Sequence, residues 1–121
     1  MITLTVVAFN GVFNFTTALP DHAQTAVTTF LGDSSLAKDA SPFWRATPDT
    51  ALTLVLHGNA DTTVPYEQSA AYQRRLNELG VCCDLHTEPG AGHGFFNRSP
   101  HYEHTVSIME RFLTDVLGLQ R

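Results

Sequence analysis

The chain has 121 residues, 43% of them hydrophobic, which fits one domain over residues 1–121 with a modest core and excludes a multidomain protein. Its net charge of −5 and seven scattered Lys and Arg residues argue against binding to nucleic acid or to an anionic membrane surface. Since the sequence has no apolar run of roughly 20 residues and no recognisable signal peptide at its start, we expect a cytoplasmic protein.

The first part of the chain predicts a strand followed by helices. Thr3–Phe9 is β-branched and apolar, as a buried strand would be. A helix is predicted over His22–Leu31, with Asp21 as its N-cap and Gly32 as its end. Ser34–Ala40 is expected to add one or two helical turns.

The second part continues the alternation. Leu52–Leu56 is a second apolar strand, and Pro65 opens a helix that reaches Leu79. Val81–Thr87 is the third strand, and the last helix runs from about Tyr102 to Leu117. The apolar stripe of that helix is expected to consist of Val106, Met109, Leu113 and Val116. The order β-α-β-α-β-α predicts an α/β fold with a parallel sheet covered on both faces.

Two unusual loops follow the second and third strands. The first contains Asp61, and the second, Gly90–Phe96, contains His93 within a glycine-rich stretch. In parallel sheets, active sites form at the carboxyl ends of the strands. A hydrolytic triad needs a carboxylate that orients an imidazole and an imidazole that moves the proton of the nucleophile. Taken alone, Asp61 reads as a turn residue and His93 as a structural histidine, but their placement on adjacent strand ends favours a catalytic pair.

The sequence resembles the carboxyl-terminal part of the α/β-hydrolases. The motifs are His57-Gly58-Asn59-Ala60-Asp61-Thr62-Thr63-Val64-Pro65 and Pro89-Gly90-Ala91-Gly92-His93-Gly94-Phe95, with a helix and a strand between them. The upstream segments Phe9–Phe13 and Ala40–Pro42 also match. The branch it resembles is that of carboxylesterases and acetyl-esterases related to prolyl oligopeptidase and dienelactone hydrolase. The resemblance implies Asp61 as the acid and His93 as the base of a serine-type ester hydrolase acting on small esters.

One departure from that family concerns the nucleophile. The family carries it in a Gly-x-Ser-x-Gly elbow upstream of the strand that corresponds to Thr3–Phe9, and these 121 residues contain no such motif. The oxyanion-hole loop is missing too. The resemblance therefore implies a truncated α/β-hydrolase fold of about three parallel strands with flanking helices.

Other residues offer no obvious replacement for the nucleophile. The serines weighed for this role follow or lie within predicted helices, or precede a proline: Ser34, Ser69, Ser107 and Ser41. The adjacent Cys82 and Cys83 fall in a predicted strand and are expected to be buried or half-buried free thiols.

The spacing of His101 and His104, with Glu103 between them and His93 nearby, is compatible with a metal site. A polar helix start exposed to water is the favoured interpretation. We therefore predict no metal site and no cofactor.

Three hypotheses stay open for the function. In the first, the chain is an ester hydrolase whose missing parts come from another copy or from an unexpected residue. In the second it is a non-catalytic oligomerising remnant, and in the third it is a truncated fragment of an esterase. The strand Thr3–Phe9 lacks the Lys, Pro or bulge that usually blunts an open sheet edge. We therefore expect a homo-oligomer formed through the strand-one region, most simply a two-fold dimer.

Overall fold

The computed structural model describes residues 5–118, which alternate between strands and helices. The strands are β1 (Thr5–Phe9), β2 (Leu52–Gly58) and β3 (Cys83–Glu88). The helices are α1 (Asp21–Leu31), α2 (Ala37–Ala40), α3 (Pro42–Arg45), α4 (Glu67–Glu78) and α5 (His101–Leu117). Short 3-10 turns cover Ser34–Leu36 and Phe95–Asn97. None of the described helices combines the length and apolarity needed to cross a bilayer.

The three strands form one parallel sheet in the order β1-β2-β3, which confirms the predicted α/β class. Leu56 is paired with Phe9 on one side and with His86 on the other, so the carboxyl ends of the strands lie along the same edge. The predicted first strand began at Thr3, which lies outside the described residues.

Both faces of the sheet are covered. Successive side chains of β2 point to opposite faces and enter two different clusters. One face packs into a cluster formed by Phe13, Ala46, Val55, Tyr72, Leu76, Val81 and Cys83. The opposite face packs into a second cluster formed by Leu54, Leu56, Ala91, Phe95 and Phe112. The burial of alternate β2 residues on the two faces fixes the register of this central strand.

The apolar stripe of α5 differs from the prediction. Val106 is 43% exposed, whereas Phe112 is buried and Ile108 packs beside it. Counting back along the helical period from Phe112 leads to Thr105, which is buried, and not to Val106. Met109, Leu113 and Val116 pack against the core as expected.

Three local predictions also need correction. Asp21 is the first residue of α1 and not its cap; Pro20 holds the N-cap position, and no side chain caps the helix. Helix α4 begins two residues after Pro65, at Glu67. Cys82 precedes β3 and is exposed, while Cys83 is buried in the strand.

Candidate active site

Asp61 and His93 meet at the carboxyl edge of the sheet. His93 Nδ1 lies 2.9 Å from Asp61 Oδ2, although 32 positions separate the residues in sequence. The Asp61 side chain is fully buried, and the His93 side chain is 39% exposed. The two residues therefore form a carboxylate–imidazole pair in which the carboxylate is buried and the imidazole is partly exposed to solvent.

The turn that contains Asp61 holds the other carboxylate oxygen. Asp61 Oδ1 accepts hydrogen bonds from the backbone N–H groups of Thr63, at 2.8 Å, and Val64, at 2.9 Å. Burial raises the pKa of the Asp61 carboxyl, but the hydrogen bonds from Val64, His93 and Thr63 outweigh it and hold the pKa below its ordinary value. Asp61 is thus kept ionised beside the imidazole.

A second histidine, the fully buried His57, also contacts the Asp61 carboxylate. His57 Nε2 lies 2.9 Å from the Val64 carbonyl oxygen and 3.1 Å from Asp61 Oδ2. Its Nδ1 lies 2.5 Å from Ser69 Oγ. Since Nε2 faces two acceptors, it carries the proton, and Nδ1 accepts from the Ser69 hydroxyl. His57 therefore fixes both the acid and the turn that positions it.

Hydrogen bonds also join the loops that carry the acid and the base. The Ala60 N–H donates to the Ala91 carbonyl at 3.0 Å, and the Asn59 N–H donates to the Glu88 carbonyl at 3.3 Å. In return, the Gly90 N–H donates to Asn59 Oδ1 at 2.7 Å. These contacts set the distance between the two loops independently of the Asp61–His93 bond.

Asn10 is a site residue that the sequence analysis missed. It directly follows β1, is buried, and has a positive φ of 37°. Asn10 Nδ2 lies 3.2 Å from His93 Nε2 and 3.0 Å from Nδ1. Because one atom this close to both ring nitrogens cannot lie in the plane of the imidazole, the Asn10 amide lies over the ring face and holds the ring in place. The available signal was its position, since it follows a strand whose carboxyl end lies at the same edge as the other two.

His93 borders an open pocket of about 530 Å³. The pocket is lined by Gly90, Ala91, Gly92, His93, Gly94, Phe95, Asn97, Arg98 and His101. Its walls come from the loop after β3 and from the start of α5. A small substrate in this pocket would lie beside the imidazole.

The candidate serines of the sequence, Ser34, Ser41, Ser69 and Ser107, are not among the residues that line this pocket. Ser41 and Ser69 are fully buried. Ser41 Oγ donates to the Ala37 carbonyl and accepts from the Phe15 N–H, and Ser69 is bound to His57. Within residues 5–118, the side-chain hydrogen bonds of His93 go to Asn10 and Asp61.

The sequence predicted a polar, water-exposed start for α5. The structure shows contacts there that a solvated segment would lack. His101 Nδ1 and His104 Nδ1 both face Glu88 Oε2, whereas Glu103 accepts a hydrogen bond from the Ser99 hydroxyl. Burial raises the pKa of Glu88, but hydrogen bonds from His101, His86 and His104 outweigh it and lower the pKa overall. A buried carboxylate thus lies among three imidazoles beside the pocket.

Comparison with known proteins places this geometry in a family. Residues 6–120 match the model of the prolyl oligopeptidase family. The chain belongs to that family. Over 59 residues, 48% of this chain and 15% of the relative, it is 41% identical to esterase LipC of Mycobacterium tuberculosis. Over 64 residues, 53% of this chain and 8% of the relative, it is 36% identical to inactive dipeptidyl peptidase 10 of Rattus norvegicus.

Solved structures of an esterase share the fold. The apo form of Thermogutta terrifontis esterase 2 superposes with a TM-score of 0.81 at 26% identity, covering 97% of this chain and 44% of the esterase. The same esterase phosphonylated by sarin gives 0.81 at 25% identity, covering 93% and 44%. The chain thus corresponds to less than half of that esterase and is a member of a hydrolase family with the α/β-hydrolase fold.

Proposed function

We propose that this chain carries the acid and the base of a serine-type carboxylic-ester hydrolase, with Asp61 and His93 as the catalytic pair and a small ester as substrate. The observation that carries the proposal is the 2.9 Å contact between a fully buried carboxylate and a half-exposed imidazole bordering a pocket. Similarity to esterases in sequence and in fold supports esters as the substrate class.

In this mechanism His93 Nε2 takes the proton of an attacking hydroxyl while the hydroxyl oxygen bonds to the ester carbonyl carbon. The imidazolium then gives that proton to the leaving alcohol as its bond to the carbonyl carbon breaks. Water then attacks the acyl intermediate in the same way: His93 takes a proton from the water and returns it to the hydroxyl oxygen of the nucleophile as the acyl bond breaks. The carboxylic acid product is released. Asp61 stays ionised throughout, holds the proton on Nδ1 and stabilises the imidazolium.

The nucleophile has to approach His93 Nε2, and the Asn10 amide lies 3.2 Å from this atom. Since the sequence has no Gly-x-Ser-x-Gly, the hydroxyl must come from a second chain or segment, or from an unexpected residue. If water is activated instead, hydrolysis should be slow, because no oxyanion-hole loop is recognisable in the sequence.

Hydrolysis of p-nitrophenyl butyrate by the parent, His93→Ala and Asp61→Asn tests the proposal. We expect loss of His93 to lower kcat on the order of a thousandfold or more. His22→Ala, which changes an exposed histidine on α1, is the matched control and should retain the parent rate. Parent and His93→Ala rates within about threefold of each other would refute the assignment.

A fluorophosphonate label, mapped by peptide mass, identifies the nucleophile. Labelling of a serine, reduced in His93→Ala, would support the serine-type reaction. Absence of both labelling and hydrolysis would instead favour the non-catalytic alternative, to which the similarity with inactive dipeptidyl peptidase 10 is relevant.

A further inference from the structure

Glu88 is a buried carboxylate surrounded by histidines. Its side chain is 4% exposed, and Glu88 is the last residue of β3. Oε2 lies 2.8 Å from His101 Nδ1 and 3.3 Å from His104 Nδ1, while Oε1 lies 3.3 Å from His86 Nε2. The ion pairs of Glu88 in residues 5–118 involve these histidines and neither Lys nor Arg. A metal cation at this cluster would compensate the charge of the buried carboxylate.

From this cluster we propose that Glu88, His101 and His104 bind a divalent transition-metal ion, with Zn²⁺ as the best match. Two imidazole nitrogens and one carboxylate oxygen are a common set of three protein ligands for zinc, with water completing the tetrahedron. One ligand atom from each residue lies within 4.8 Å of the others. In a zinc tetrahedron the ligand atoms are about 3.4 Å apart, given bonds of about 2.1 Å. The His104 contact to Glu88 Oε2, at 3.3 Å, matches that spacing, and the His101 contact, at 2.8 Å, would lengthen by about 0.6 Å to admit the ion.

The backbone explains why the ligands converge. His101 and His104 are three positions apart in the first turn of α5, so their side chains lie on one face of the helix. That face meets the carboxyl end of β3, where Glu88 is the last strand residue. His86 contacts the second oxygen of Glu88, as outer hydrogen-bonding partners of metal ligands commonly do.

The bound ion would act on the pocket through the loop it closes. Glu88 and His101 are 13 positions apart, and His93 lies in the intervening segment. Because the ion would bind the folded arrangement and not the unfolded chain, it would stabilise the fold and tie the histidine loop to α5. This effect on the histidine loop does not depend on whether the chain hydrolyses esters.

The test is Zn²⁺ titration of chelator-treated, tag-free protein by calorimetry, with thermal unfolding measured in parallel. We expect one ion per chain and a rise in Tm on the order of 10 °C at about a hundredfold excess over Kd. Co²⁺ in place of Zn²⁺ should give the visible absorption of a tetrahedral site.

His104→Ala is the decisive variant because its side chain is 58% exposed, so folding should tolerate the change. It should weaken Zn²⁺ binding at least about tenfold, and Glu88→Gln should weaken it further. His22→Ala and His93→Ala should bind as the parent does. No binding by the parent, equal affinity in His104→Ala and His22→Ala, or loss of binding in His93→Ala would overturn the proposal.

Discussion

The backbone of Gly58 lies directly against the carbonyl group of Ala91. A Cβ atom at position 58 would lie 2.2 Å from the Ala91 oxygen and 2.7 Å from its carbonyl carbon. Gly58 is the last residue of β2 and Ala91 belongs to the histidine loop, so the absence of a side chain brings the acid loop and the base loop together.

Gly58→Ala should therefore destabilise the protein and separate His93 from Asp61. Since backbone atoms must move to admit the methyl group, we expect a cost of about 1–3 kcal/mol or more in the free energy of unfolding. Urea denaturation measures it. Gly92→Ala is the matched control, because a Cβ there meets no atom within 4 Å. Equal stability of the two variants would contradict this account of the close approach.

Acidification should destabilise the protein partly through Asp61. Its pKa is lower in the folded state than its ordinary value, so its contribution to stability is complete above about pH 5 and is lost as pH falls through the lowered pKa. As the pH is lowered below about 5, the Tm of Asp61→Asn should fall less than the Tm of the parent. Asp49→Asn removes an exposed carboxylate as a control. Parallel Tm curves for the parent and Asp61→Asn would contradict the prediction.

Asn10→Ala should make His93 more reactive toward diethylpyrocarbonate. The Asn10 amide contacts both ring nitrogens of His93, and removing a contact worth about 1 kcal/mol corresponds to about a fivefold faster modification. Peptide mass mapping distinguishes His93 from the other histidines. His22, which is exposed on α1, serves as the internal reference, and an unchanged ratio of His93 to His22 modification would exclude this role for Asn10.

The homo-oligomer expected through the strand-one region stays a prediction, to be tested at Val6. Val6 lies in β1 and is 46% exposed, and β1 pairs only with β2 among the described strands. Light scattering at micromolar concentration should show an oligomer that Val6→Lys weakens. A stable monomer of 13.3 kDa would refute the prediction, and an intact Val6→Lys oligomer would exclude strand one from the interface.

The sheet was predictable from the sequence because its strands are continuous apolar runs, and their order follows the chain. The meeting of Asp61 and His93 was predictable for a related reason, since both follow neighbouring parallel strands. The motif resemblance pointed to the same two residues, and the family match supports the hydrolase class.

The contacts made by Asn10 and Glu88 were not predictable in the same way. Asn10 meets a ring 83 positions away, and no local pattern indicates a contact of that range. Glu88 reads as the end of a strand, and Glu103, between the two histidines, was the more obvious carboxylate in sequence. Helix geometry turns Glu103 toward Ser99 instead and leaves both imidazoles facing Glu88.

The central position of β2 gives the two members of the pair unequal dynamics. Leu54 and Leu56 of β2 are buried and have strand partners on both sides, so their amide hydrogens should exchange slowest. Asp61 follows that strand, whereas His93 follows β3, which has one strand neighbour in the described sheet. If the sheet edge opens locally, the imidazole should move with β3 while the carboxylate stays on the central strand. We therefore expect the acid to be the fixed half of the pair and the opening of the histidine loop to limit the lifetime of the assembled site.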